Sequence, residues 1–177
     1  MRTLIVSYSR TGNNKDLARG LAATLPAEHV EVTESKARTT GTIALDILFG
    51  RTPKVAVPHV NAEQYDLLVF VGPVWMGHVA TPLRACFKAL GSRIRAYAWV
   101  SISGGADGPN PKLGGELTKR LGREPVAVID MHIADLLPPE PKATRDVTMA
   151  YRVSVAETER ITERAAAELR HTMVGGE

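Results

Sequence analysis

Five consecutive apolar residues, Leu67-Leu68-Val69-Phe70-Val71, constrain this chain more than any other feature. A strand with one wet face alternates apolar and polar side chains. This run offers neither face to water, so it belongs inside a parallel sheet covered on both sides. Around it, apolar positions of two periods alternate along the chain. Residues 2–7 read as a short buried strand. From Asn14 to Leu25, Leu17, Leu21 and Leu25 recur every fourth residue, the stripe of a helix. Val30 and Val32 alternate with polar neighbours, as an edge strand does. Leu83, Cys86, Phe87 and Leu90 share one helix face, closed at Gly91. Tyr97 to Ile102 reads as a strand, and Leu113, Leu117 and Leu121 mark a helix stopped by Gly122. Val126 to Ile129 forms a last strand, and Ile161, Ala165 and Leu169 mark a closing helix.

Strands that alternate with helices require right-handed crossovers and a parallel sheet. The expectation is one domain over residues 1–177, an α/β three-layer, doubly wound sandwich with a parallel sheet of order 2-1-3-4-5. In such a sheet, ligands bind outside the carboxyl ends of the strands, at the switch point between strands one and three. Two stretches exceed a minimal crossover. Residues 34–62 form an insert with a short helical pattern at Ile43, Ile47 and Leu48 before Gly50. Residues 135–151 hold Pro138, Pro139 and Pro141 and read as a loop.

Composition narrows the function. Lys and Arg total 22 against 19 Asp and Glu, a formal charge of +3. The basic residues are scattered, without a cationic block or interleaved aromatics, which argues against a nucleic-acid groove. No apolar run approaches the roughly 18–20 residues that span a bilayer. The chain enters its first strand without a charged and then apolar leader, so cytoplasmic residence is expected. Cys86 is the single cysteine, which excludes an intrachain disulfide and a multi-cysteine metal site. Its place on an apolar stripe reads as a packed thiol.

The switch-point rule demands ligand loops after strands one, three and four. After strand one comes Ser9-Arg10-Thr11-Gly12-Asn13-Asn14, opening onto a helix whose first N–H groups and dipole favour an anion. After strand three comes Gly72-Pro73-Val74-Trp75-Met76-Gly77-His78, with an aromatic at a tight turn. After strand four comes Ser103-Gly104-Gly105-Ala106-Asp107-Gly108, whose glycines let backbone approach a flat ligand. Each alone is commonplace; three on one edge of one sheet make a site. Arg10 reads as a phosphate counter-charge or as solvent-facing, and His78 as a proton donor or a solvated loop residue. His132 reads as structural, and Asp107 as the cap of the following helix. Lys36, Arg38, Arg51 and Lys54 flank the insert and read as a solvated face.

With these loops quoted, the chain resembles the flavodoxin family, whose members bind FMN. The family's phosphate loop has the form Ser/Thr-x-Thr-Gly-Asn/Thr-Thr, and this chain carries Ser9-x-Thr11-Gly12-Asn13-Asn14, departing only at Asn14. The family's second loop often reads Pro-x-Trp, here Pro73-Val74-Trp75, and its third is rich in glycine. The resemblance implies a flavodoxin-like sandwich and FMN as cofactor. It implies that Ser9, Thr11, Asn13 and Asn14 donate to the phosphate, with backbone N–H groups from Arg10 through Asn14. It implies that Trp75 stacks on the flavin ring with Pro73, Val74, Met76 and Gly77 along its edge. Ser103, Gly104 and Gly105 would line the pyrimidine end. Acidic carriers of the family surround the flavin with carboxylates, whereas this chain places Met76, Gly77, His78 and Val79 there.

Two functions follow from that resemblance. One is an electron-transfer flavoprotein working between protein partners. The other is an NAD(P)H-dependent FMN or quinone reductase with a small-molecule acceptor, toward which the basic surface leans. A phosphoacceptor signalling domain shares the sheet order but needs acidic residues after strands one and three, where this chain has Ser7-Tyr8-Ser9 and Gly72-Pro73. A dinucleotide fold would place Gly-x-Gly-x-x-Gly after strand one, and that pattern is missing from the sequence.

Overall fold

The computed structural model describes residues 1–34 and 38–174. Its principal sheet is built from β1 (Thr3–Ser7), β2 (Glu28–Glu31), β3 (Leu67–Val71), β4 (Tyr97–Ser103) and β5 (Ala127–His132). These five strands are all parallel and lie in the order β2-β1-β3-β4-β5, as the sequence predicts. Two further strands of two residues each, Val74–Trp75 and His78–Val79, pair as a separate antiparallel hairpin. The helices are α1 (Asn13–Thr24), α2 (Thr40–Leu48), α3 (Thr81–Leu90), α4 (Leu113–Leu121), α5 (Arg145–Ala150) and α6 (Val155–Val174).

Strand periodicity divides the core in two. Leu4, Val6, Leu68, Phe70, Tyr97 and Trp99 point to the face covered by α3 and α4. Ile5, Leu67, Val69, Val71, Ala98, Val100 and Ile102 point to the face covered by α1 and α6. The central strand β3 is buried along its whole length, as its unbroken apolar run requires. Phe70 anchors the first layer edge-on to Phe87, with ring centroids 4.8 Å apart. In the second, α1 and α6 approach closely because Gly20 lacks a side chain: a Cβ there would lie 2.7 Å from Thr162 Oγ1. Ser154 and Glu157 cap the start of α6 reciprocally, Glu157 N–H donating to Ser154 Oγ and Ser154 N–H to Glu157 Oε2.

The structure departs from expectation at three points. β5 runs on to His132, because Val128, Asp130 and His132 alternate with buried Ile129 and Met131 in an edge strand. α3 does end at Gly91, but not in the left-handed conformation of a usual glycine stop: its φ is −52° and the chain continues into a tighter turn. Its smallness instead admits Leu121, whose Cδ2 would lie 3.3 Å from a Cβ at that site. The proline-rich stretch contains the short helix α5, started by Thr144, whose Oγ1 accepts the Val147 N–H. Gly122, by contrast, ends α4 in the left-handed region with φ 71°, as read from the sequence. The helix of the insert is present as α2; Lys36 lies outside the described residues.

Cys86 is fully buried, and burial pushes its thiol up to about 12. We therefore expect thiol reagents at pH 8 to label the native protein more than about a hundredfold more slowly than the unfolded chain, since the thiolate is the reactive form. Stopped-flow labelling with and without denaturant measures the ratio, and equal rates would contradict the buried placement.

Candidate functional site

The three loops picked out by the sequence meet at the carboxyl edge of β1, β3 and β4. The first is turned by Gly12, whose φ of 102° suits glycine alone. Ser9 Oγ accepts the Gly12 N–H at 3.0 Å, and Gly12 O accepts the N–H groups of Lys15 and Asp16 to open α1. Among the described residues, the N–H groups of Arg10, Thr11, Asn13 and Asn14 donate to no protein acceptor. They form a nest of unspent donors at the positive end of a helix. Arg10 is exposed, while Ser9 and Thr11 are half-buried.

The side chains of Asn13 and Asn14 do something other than expected. Asn14 Nδ2 donates to Ile102 O at 2.9 Å, and its Oδ1 accepts Ile102 N–H at 2.9 Å. Asn13 Nδ2 donates to Tyr151 O and its Oδ1 accepts Val153 N–H. Both residues are buried, and each amide is engaged on the protein backbone through its oxygen and one N–H. What this pair leaves for a ligand is its backbone N–H groups and the second hydrogen of each amide nitrogen.

The second loop is a hairpin with φ of 51° at Met76 and 77° at Gly77, a primed turn that matches strand twist. Trp75, half-buried, stands edge-on to Tyr8 at 5.7 Å between ring centroids. The Tyr8 hydroxyl donates to Glu34 at 2.8 Å; Glu34 pairs with Arg38, and Arg38 with Asp46 of α2. Burial first, and then the Glu34 carboxylate, push the Tyr8 phenol well above its usual range. Pro73 O accepts the Ala80 N–H to close the hairpin, and Val74 is buried beneath it. From the other side Glu116 of α4 holds the returning strand. It accepts the Val79 N–H at 3.0 Å, lies 3.2 Å from His78 Nδ1, and binds Arg84 and Arg120. His78 is thus tied to a carboxylate, with about half of its side chain exposed.

The third loop rests on a polar hub that the sequence reading missed. Asp130 accepts from Ser101 and Ser103 on one oxygen and from Asn110 on the other, with His132 Nε2 at 3.0 Å. Trp99 Nε1 in turn donates to Ser101 Oγ. Gly105, at φ 73°, lies against the His132 ring: a Cβ there would stand 2.4 Å from His132 Cβ. His132 therefore supports the loop, in line with its structural reading, and Gly104 O accepts Ala134 N–H to complete the brace. Asp107 is not a helix cap. Its carboxylate takes both Arg145 donors, at 2.7 and 3.0 Å, and this hydrogen bonding lowers its pKa. The signal for the hub was available in the polar residues of Val128-Ile129-Asp130-Met131-His132, alternating inside an apolar strand. Glu116 and Asn110 carried no signal beyond their polarity.

Two variants test this framework. Asn14→Ala would strand the Ile102 N–H and C=O and cost about 2–4 kcal/mol, from two buried polar groups left without partners. Gly105→Ala would drive a methyl into His132 at a left-handed φ, costing about 1–3 kcal/mol. Urea titration followed by circular dichroism reads both; a shift below about 0.5 kcal/mol at either position would contradict the geometry.

No family model matches the chain, and no curated protein matches it. Solved structures do. The flavoprotein of Lactobacillus acidophilus, crystallised in complex with FMN, is 26% identical and superposes with a TM-score of 0.64, over 73% of this chain and 92% of its own. A flavoprotein structure from Bacteroides uniformis is 14% identical at a TM-score of 0.65, covering 83% of this chain and 94% of its own. The Streptococcus pneumoniae flavodoxin is 15% identical at a TM-score of 0.50, covering 95% and 99%. In sheet order and helix placement, as in these neighbours, the chain has the flavodoxin-like fold.

Proposed function

We propose that this chain binds FMN without a covalent bond at the carboxyl edge of its sheet and transfers electrons through it. The observation that carries the reading is the nest of unspent N–H donors at Arg10, Thr11, Asn13 and Asn14, facing the same edge as the Trp75 hairpin and the Gly104–Gly105 loop. The FMN carried by the Lactobacillus neighbour supports it.

The residues present fit a phosphate. Ser9 Oγ accepts from Gly12 and so keeps its own proton for a phosphate oxygen. Thr11 adds a second hydroxyl. A Cβ on Gly12 would meet nothing within 4 Å, so the cradle is open on that side. These donors are neutral; the field of α1 supplies the positive character, with Arg10 as the exposed cation beside them. Trp75 offers an aromatic face, with Pro73, Val74, Met76 and Gly77 along the ring. Ser103 spends its hydroxyl on Asp130, leaving the Gly104 and Gly105 backbone as the donors for the pyrimidine end. FMN, when bound, exchanges single electrons or a hydride. Backbone donors at the pyrimidine end favour negative charge there, and the hairpin keeps water from the ring.

A second reading, an NAD(P)H-dependent FMN or quinone reductase, is favoured by the rim. From Met76 to Val79 the chain bears no carboxylate, the Glu116 carboxylate beside it is paired with Arg84 and Arg120, and the formal charge is +3. By Coulomb's law such a rim makes electron uptake easier than an acidic one does. The partner is a redox protein under the first reading. Under the second it is a small acceptor, with NAD(P)H as donor.

Purified protein reconstituted with FMN should bind it in equal amount, and Thr11→Val should weaken binding about 10- to 100-fold through loss of a hydrogen bond to a charged group. Riboflavin, which lacks the phosphate, should bind the variant and the parent alike; an equal loss for riboflavin would move Thr11 away from the phosphate. NADPH and NADH oxidation with a quinone separates the readings. Turnover well above that of free FMN selects the reductase, and none selects the carrier. A protein that takes up no FMN overturns both.

A further inference from the structure

The insert carries an apolar stripe on its outer side. α2 turns Ile43 inward, 5% exposed, while Leu45, Leu48 and Phe49 face out at 47%, 76% and 61% exposure. Their spacing of i, i+3 and i+4 puts them on one side of the helix, continued by its cap residue. The exposed charge between Thr39 and Ala62 is positive. Between Thr39 and Ala62 the only acidic residue is Asp46, whose carboxylate is engaged by Arg38 and Thr81 and is 14% exposed. The cations Arg51 and Lys54 are exposed, and the Arg51 guanidinium lies over the Phe49 ring, 5.0 Å from its centroid.

We propose that this tip is a docking surface for an anionic lipid bilayer. Leu45, Leu48 and Phe49 enter the boundary between headgroups and acyl chains, and Arg51 and Lys54 meet the lipid phosphates. The aliphatic stems of both cations reach back over apolar surface while their charges stay at headgroup level. A second copy of the chain is a poorer occupant. Three side chains on one short helix fall well below the about 800 Å² per partner of a stable dimer. A two-fold mate would also bring more exposed cations to the seam and no free carboxylate from the same stretch. The proposal stands on the insert alone and is independent of the flavin.

Flotation of the full-length protein with vesicles tests it. Vesicles of phosphatidylglycerol and phosphatidylcholine in equal parts should carry the protein upward at low salt, and salt should release it. Phosphatidylcholine alone should retain little. The double variant Leu48→Glu with Phe49→Glu should lower the bound fraction about tenfold or more. Arg51→Glu with Lys54→Glu should remove the preference for phosphatidylglycerol. As a check that needs no loss of function, Leu48→Cys carrying an environment-sensitive dye should shift to the blue on mixing with anionic vesicles; the buried Cys86 leaves that label specific. Absence of binding at low salt, equal binding by the Leu48/Phe49 variant, or an unshifted dye would overturn the proposal. So would a dimer in sedimentation that the Leu48/Phe49 variant dissociates, which would give the stripe to a second copy.

Discussion

The site depends on one side-chain amide. β3 ends at Val71 and the chain turns away after Gly72, whose N–H makes the last ladder bond, to Val100 O. Two residues on, Ile102 would present an unpaired N–H and C=O on the same side of β4. Asn14 fills that gap from the start of α1, donating to one group and accepting from the other. The amide acts as one more residue of a missing strand, and it satisfies backbone groups that burial would make costly to leave alone. In doing so it fixes the first loop to the fourth strand across the end of the third. The N–H nest of residues 10–14 and the glycine loop at 104–105 therefore keep a set distance.

The division of labour at this edge follows from that commitment. At the start of α1 and the end of β4 the polar side chains are engaged with the protein, while the hydroxyls of Ser9 and Thr11 and the loop backbone are not so engaged as donors. Asn13, Asn14, Ser103 and Asp130 all bond inward, and left-handed turns at Gly12, Gly77 and Gly105 bend the three loops. Peptide donors held this way need little reorganisation when an anion arrives. The Trp75 hairpin is held from both flanks, by Tyr8 toward the insert and by Glu116 toward α4.

Much of this was legible in the sequence. The unbroken run Leu67–Val71 and the alternation of periods gave the layers and the strand order, because burial on two faces leaves no polar residue to hide. The three loops were found because the topology says where to look. What was not legible is the destination of each polar side chain. Asn14 was read as a phosphate donor, since an amide at a helix start suits that role equally well until the end of β3 is seen to leave Ile102 unpaired. Locally Asp107 looks like a cap, because its partner, Arg145, lies 38 residues away. Asp130 lies just past the apolar run of β5, which ends at Ile129. Long-range pairings such as these are set by three-dimensional proximity, to which local periodicity is blind.

Glu116 shows how far such a pairing reaches. The hairpin carries Trp75, yet the carboxylate that holds its second strand sits on α4, in the next crossover of the sheet. The sequence from Pro73 to Val79 is therefore not a self-sufficient cassette. Grafted onto a related scaffold without an acidic residue at the matching place on the neighbouring helix, it would arrive with the strut of its second strand missing. In this architecture the hairpin and the post that braces it are inherited from different units of the chain, and they have to be transplanted together.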